Sequence, residues 1–242
     1  MASKLLGAHV KRKEDPRLIT GTSQYVADIA LPGLLHVAFV RSPHAHARIR
    51  SIDGAAARRR PGVVAVVTGR DLMPHCAPLP TATVSAEGGG ADKADGGRQH
   101  YPLSVDRVRH VGEAVAAVIA SSAEAAVDGA AAVEVDWEPL PAVVDTAAAM
   151  ADGAPLLFDD APGNVEHRQA IKAGDPDAAF AAAHRVVKQR MVSQRLSGVP
   201  LEPRAVVASP DPASGGLVVW STHQAPHVLR TGLAAALRMP EN

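Results

Sequence analysis

Near its end the chain reads "WSTHQAPH", Trp220 to His227, a polar octet between a strand-like run and a helix-like run. Gln224 falls there at the carboxyl end of the strand and beside the helix N-terminus. Ligand sites of α/β layers gather at such ends, and the helix dipole favours anionic or oxo groups. Its amide offers two donors and an acceptor without adding charge, which suits a hydrogen bond to a metal-oxo oxygen or a bound carbonyl. The plainer reading, an amide that satisfies a turn, stays open on the residues alone. His223 and His227 are four apart, but Pro226 stands between them at the helix start and no glutamate does. They do not make the H-E-x-x-H zinc pattern.

Two further groups could carry chemistry. "PHAHAR" sets His44 and His46 two apart, on one face if that segment is extended, yet two ligands without a third do not make a zinc site. In "PLEPRA", Glu202 is held between Pro200 and Pro203, as a positioned acid–base group needs to be; an ion pair with Arg204 is the competing reading. Cys76 stands in a Pro- and Gly-rich stretch with nothing to activate it. No G-x-S-x-G, Walker loop or dinucleotide fingerprint occurs.

The elements that must position these residues follow from periodicity. Residues 1–16 are a lead-in, and the irregular start runs on to "LPG" at Leu31–Gly33. "LLHVAFVRS" predicts a strand buried on both faces, "ARIRSID" one with an exposed face, "GAAARRRPG" a short helical turn, and "VVAVVTG" a third strand. Residues 74–100, rich in Pro, Gly and small polar residues, predict a long mobile surface loop whose "GGG" is a spacer. "VRHVGEAVAAVIAS" ends in a buried strand. Ser121 and Glu124 stand in S-x-x-E spacing and open an Ala-rich helix to about Val133. "VEVDWEPLP" is the next strand. Together these predict an α+β layer domain over residues 17–145.

Residues 146–174 read as a linker. Asp175 caps a helix begun by Pro176 and Asp177, which leads into a strand-like "RVVKQRMVSQRL". "AVVAS" and "LVVWST" form a hairpin about "PDPASGG". The closing helix carries Val228, Leu229, Gly232, Leu233, Ala236 and Leu237 on one face. The module over 175–242 therefore has strands and helices but no closing elements.

The totals exclude several classes. Among 242 residues, 25 basic and 25 acidic side chains cancel, leaving no basic field for nucleic acid. A single cysteine allows neither an internal disulfide nor an iron–sulfur ligand set, and fits a reducing, cytoplasmic compartment. The basic start lacks an apolar signal core, and no apolar run reaches membrane-spanning length.

Six ordered segments then carry a resemblance: "EDPRLITGTSQYVADIALPGLLHVAFVRSPHAHARIRSID", "PGVVAVVTGRDL", "VRHVGEAVAAVIASSAEAAVDGA", "VDWEPLPAVVD", "PLEPRAVVA" and "WSTHQAPHVLR". The chain resembles the amino-terminal part of the molybdenum-binding large subunit of the molybdenum hydroxylases (xanthine dehydrogenase, aldehyde oxidase, aerobic carbon-monoxide dehydrogenase), with Ala114 where that family usually has proline. The resemblance implies an α/β-hammerhead domain followed by the incomplete start of a molybdenum-cofactor-binding domain. It implies that Gln224, with His223 beside it where the family commonly has threonine, hydrogen-bonds an oxo ligand of a molybdenum-pterin cofactor. It also implies hydroxylation of aldehydes or N-heterocycles, or oxidation of carbon monoxide, with electrons passing to 2Fe–2S clusters and FAD on partner chains.

Family members continue past this point with a "GGGFG" segment, a substrate-selecting loop and a distant catalytic glutamate. The expectation is a split or truncated large subunit that needs its remainder, an FAD-binding medium subunit and a 2Fe–2S small subunit, and does not hold the cofactor by itself. The competing expectation is a non-catalytic assembly module in which only the hammerhead domain folds and binds partner subunits. A zinc hydrolase built on His44 and His46 is the third.

Overall fold

The structure is a computed structural model that describes residues 7–79, 100–165 and 173–241. Its helices are α1 (Asp15–Ile19), α2 (Ala55–Arg58), α3 (Gly69–Leu72), α4 (Ala123–Ala131), α5 (Thr146–Ala149), α6 (Pro176–Ala182) and α7 (Pro226–Leu237). Its strands are β1 (His36–Arg41), β2 (Ala47–Asp53), β3 (Val63–Thr68), β4 (Arg107–Val108), β5 (Ala114–Ala120), β6 (Glu134–Pro139), β7 (Val206–Asp211) and β8 (Gly216–Ser221). Most of the loop expected over 74–100, its "GGG" included, lies outside the described residues, as do residues 166–172 of the expected linker. The chain divides into two compact units, residues 1–34 with 195–229 and residues 35–194 with 230–242, so the dividing line falls inside α7.

The larger unit holds two antiparallel three-stranded sheets, ordered β1-β5-β3 and β4-β2-β6. β5 is the centre of the first, with Val115, Ala116, Val118 and Ala120 fully buried. A run of β-branched and small residues suits a strand packed on both faces and paired on both edges. One core joins Ala47, Ile49, Val108 and Val115; a second joins Ala57, Val66, Val118 and Val133. α4 packs on the second through Gly129, where a β-carbon would lie 2.8 Å from Val118 Cγ1 and from Val63 Cγ2. Glycine is there to let helix and sheet approach closely.

Two expectations change. β1 is not buried on both faces: it is a sheet edge whose Val37 and Phe39 are about half exposed. β2 keeps the expected exposed face, with Arg48 and Arg50 in solvent, and as the centre of its sheet buries Ala47 and Ile49. The α4 cap is Ser122, one residue later than the S-x-x-E spacing indicated; its hydroxyl accepts from Ala125 N at 3.2 Å. Asp175 caps α6 as expected, accepting from Ala178 N at 3.0 Å.

A buried carboxylate organises the turns around β5. Glu113 accepts from Ser104 Oγ and from Arg109 N, each at 2.5 Å, with His110 Nδ1 at 3.4 Å. Two strong donors on separate oxygens compensate its removal from water. Between residues 146 and 165 the chain is also ordered. Asn164, at a left-handed φ of 55°, accepts from Leu157 N and donates to Ala149 O and Pro155 O.

The smaller unit contains α1, a single 3-10 turn at Val26–Asp28, and the β7–β8 ribbon, in register from Val206↔Ser221 to Asp211↔Gly216. Asp211 closes the ribbon turn, accepting from Ala213 N at 3.0 Å and Ser214 Oγ at 2.6 Å. None of this unit's described residues is buried. The strand expected in "RVVKQRMVSQRL" does not form: residues 185–196 have no regular structure, and Val187, Met191, Val192 and Leu196 are exposed. β-Branched residues favour a strand only where a neighbouring backbone completes the ladder. Among the described residues no helix is long and apolar enough to cross a membrane.

Candidate functional site

The ribbon and α7 meet in the turn Thr222–Ala225, which holds Gln224. On its upstream side Thr222 is pinned by its backbone and its side chain: its N–H donates to Ala205 O at 3.1 Å, and its hydroxyl lies 3.2 Å from Glu202 Oε1 and 3.1 Å from Pro203 O. On the downstream side Ala225 N donates to His223 Nδ1 at 3.0 Å. With Nδ1 accepting, the neutral imidazole carries its proton on Nε2. The two sides fix a short irregular segment that no ladder or helix supports.

Gln224 and His223 are both exposed. The Gln224 amide meets no hydrogen-bond partner among the described residues. Adjacent residues thus present two uncharged donor groups, the Gln224 amide and the His223 Nε2–H. Such a pair can bind an oxo, carbonyl or phosphoryl oxygen without adding charge. The helix start contributes less than its dipole suggests. Ala225 N–H is spent on His223 and Pro226 has no N–H, so these first positions offer no free donor.

Glu202 is half-buried, and its Oε1 accepts from Val26 N at 3.1 Å as well as from the Thr222 hydroxyl. These contacts take the place of the ion pair with Arg204. The carboxylate is therefore brought to within two residues of Gln224 along the chain, a link that sequence spacing does not reveal. The signal available was the proline after it, which disfavours helical backbone at Glu202.

The other candidates lie in the larger unit. His44 and His46 do not share a face of an extended strand, because residues 42–46 bend between β1 and β2. His44 sets its ring edge-on to Trp137 with centroids 5.7 Å apart, while His46 is buried with Nδ1 donating to Pro141 O at 2.8 Å. Among the described residues no three His, Cys, Asp or Glu side chains gather as metal ligands. Cys76 is buried and donates to Leu72 O at 3.3 Å. A cavity of about 270 Å³ is lined by Ile49, Ser51, Thr68, Gly69, Arg70 and Ser104 among others and holds none of the candidate residues.

Comparison with known proteins gives this geometry its setting. Residues 20–141 match the model for the "Aldehyde oxidase and xanthine dehydrogenase, a/b hammerhead domain", and residues 157–242 match that for the "Molybdopterin cofactor-binding domain". The chain is 40% identical over 238 residues to the 6-hydroxypseudooxynicotine dehydrogenase complex subunit gamma of Paenarthrobacter nicotinovorans, covering 98% of this chain and 29% of that one. It is 40% identical over 259 residues to the carbon monoxide dehydrogenase large chain of Afipia carboxidovorans, covering 100% of this chain and 30% of that one. The crystal structure of quinoline 2-oxidoreductase from Pseudomonas putida 86 superposes with a TM-score of 0.84 at 38% identity, over 97% of this chain and 29% of that chain. The chain thus spans about 30% of the length of such relatives. Two domain models in succession and alignment over nearly all of this chain at this identity place it: the chain belongs to the aldehyde oxidase and xanthine dehydrogenase family, as an α/β-hammerhead domain followed by part of a molybdopterin cofactor-binding domain.

Proposed function

We propose that this chain is the amino-terminal segment of a molybdenum hydroxylase large subunit, and that Gln224 is its residue at the molybdenum. The observation that carries this is the exposed Gln224 amide, without a hydrogen-bond partner among the described residues and held in a turn clamped on both sides inside the region matched as cofactor-binding domain. The donor chemistry fits the group: a neutral amide can hydrogen-bond an oxo ligand without repelling cations or adding a charge of its own. When bound, the molybdenum-pterin cofactor supplies the oxidation of a C–H bond or of carbon monoxide, with water as oxygen source. Gln224 would be the residue that donates a hydrogen bond to an oxo ligand of that group. His223 braces the turn by accepting from Ala225 N at Nδ1.

The carbon monoxide, 6-hydroxypseudooxynicotine and quinoline enzymes among the relatives, with the aldehyde oxidase family model, support the substrate classes proposed for the complete protein: carbon monoxide, aldehydes and N-heterocycles. The single cysteine of these residues cannot ligate a 2Fe–2S cluster; in this reading the clusters and FAD sit on a small and a medium partner subunit, and the remainder of the large subunit supplies the pterin-binding loops. The gamma-subunit and large-chain names of the relatives support such an assembly. A reducing, cytoplasmic setting is in keeping with the lone Cys76.

The test is Gln224→Ala in the complete large subunit with molybdenum content measured alongside. A hydrogen bond to a charged centre contributes about 1.5–3 kcal/mol, so turnover falls about 10- to 150-fold with molybdenum retained. Unchanged turnover defeats the assignment. A second reading, an assembly module without catalysis of its own, is favoured by one observation: every buried residue among those described lies in the larger unit. Purification from the native host separates the two. Molybdenum with flavin and iron–sulfur subunits supports the enzyme; a metal-free chain bound to partner subunits supports the module.

A further inference from the structure

We propose that Glu202 is a positioning residue for Gln224, acting through Thr222. The inference rests on the role proposed above for Gln224. One oxygen of Glu202 joins two segments that are far apart in the chain: Oε1 accepts from Val26 N at 3.1 Å and from Thr222 Oγ1 at 3.2 Å. Each donor has a reason to need it. Val26 opens the 3-10 turn Val26–Asp28, so its N–H has no partner within that turn. The preceding amide, Tyr25 N, is already taken by Asp28 Oδ2 at 2.9 Å. Thr222 follows β8, beyond the last paired residue of the ribbon, and its own ring of contacts runs entirely through residues 202–205.

The mechanical consequence is specific. Thr222 is two residues before Gln224, and between them the backbone has no regular hydrogen bonding. What fixes the entry to the turn is therefore the direction of the Thr222 side chain and backbone, set by Glu202, Pro203 and Ala205. Pro203 in turn disfavours helical backbone at Glu202, so the carboxylate leaves the chain from a restricted base. A carboxylate suits this place because bonds to an ionised acceptor are roughly twice as strong as neutral ones, and one oxygen can accept from two donors at once. A glutamine keeps the acceptor and loses the charge; an alanine loses both.

Backbone ¹⁵N relaxation on the 242-residue chain tests this without any cofactor. In the unmodified chain the amides of Val26, Thr222 and Gln224 are ordered alike. In Glu202→Ala the order parameter at Gln224 falls from about 0.85 to below about 0.6, the range of flexible backbone. Glu202→Gln recovers most of the loss, and Thr222→Val reproduces it at Gln224 while leaving Val26 ordered. Arg204→Ala changes none of the three. An order parameter at Gln224 that stays put in Glu202→Ala overturns the inference, and so does a Gln224 that is flexible before any substitution. In the complete enzyme, Glu202→Ala lowers kcat about tenfold with KM unchanged, and Glu202→Gln restores it. Because the relaxation result involves no molybdenum, loss of order with unaltered turnover in Gln224→Ala sinks the role of Gln224 and leaves the clamp standing.

Discussion

Ser104 Oγ donates to Glu113 Oε1 at 2.5 Å, and both side chains are buried. The second oxygen of Glu113 takes Arg109 N, so one carboxylate holds the chain before β4 and the chain after it to the start of β5. Glu113→Ala leaves a buried hydroxyl and a backbone N–H without an acceptor, at about 1–3 kcal/mol each. The larger unit is expected to lose about 2–6 kcal/mol, read as a lower urea midpoint with an unchanged slope. Glu113→Gln, which keeps an acceptor for Ser104, loses less.

Gly129 and Gly232 are both helical, and the same substitution has opposite signs at the two. At Gly129 a β-carbon would lie 2.8 Å from two valine methyls, whereas at Gly232 nothing lies within 4 Å. Alanine gains about 1 kcal/mol of helix propensity at either place, but overpacking costs about 1–3 kcal/mol. Gly129→Ala therefore lowers Tm by about 2–4 °C and Gly232→Ala raises it by a similar amount, measured by calorimetry.

Ser121 and Ser122 are told apart by the same means. Ser122 caps α4, and Ser122→Ala costs about 1 kcal/mol. Ser121→Ala changes stability by no more than about 0.5 kcal/mol, as at an ordinary surface position. Equal losses at the two would return the cap to Ser121.

Acid acts on Asp71. Its carboxylate accepts from Thr68 N at 2.8 Å and from Thr68 Oγ1 at 2.7 Å, which holds its pKa below the ordinary value. A depressed folded pKa means that the contribution is complete above the unfolded value of about 3.9 and disappears as pH falls through the folded one. Asp71 is exposed, so the effect is a few tenths of a kcal/mol after solvent screening. In acid titrations followed by circular dichroism, Asp71→Asn is less stable than the unmodified chain near pH 7, and the difference closes as pH falls below the ordinary carboxylate range.

The hammerhead strands were legible because β-branched runs such as "VVAVVTG" and "AVAAVIA" have no competing helical period and are bounded by Gly, Pro or capping residues. Gln224 was legible as a residue at a strand end beside a helix start. Its bracing was not. The partner of Thr222 is set by tertiary approach, and Arg204, the nearest cation in sequence, proves to be no guide to where Glu202 turns. "RVVKQRMVSQRL" has the composition of a strand but finds no ladder, since composition states what a backbone tolerates and pairing decides what it does. The His44–His46 spacing implied a shared face only under the assumption of extended backbone, and the bend at residues 42–46 removes that premise.

The bond from Val26 to Glu202 spans 176 residues of chain, which gives it a place in time as well as in space. At a ribosomal rate of about 5–20 residues per second, the Val26 amide emerges about 10–35 s before its acceptor exists. Every strand of the two three-stranded sheets is synthesised inside that interval, β1 beginning at residue 36 and β6 ending at residue 139. The hammerhead unit is thus made and can close on itself while the lead-in still waits. Vectorial synthesis fixes the order of assembly: the sheets first, the lead-in last, and the turn bearing Gln224 braced only when both ends of that long interval have met.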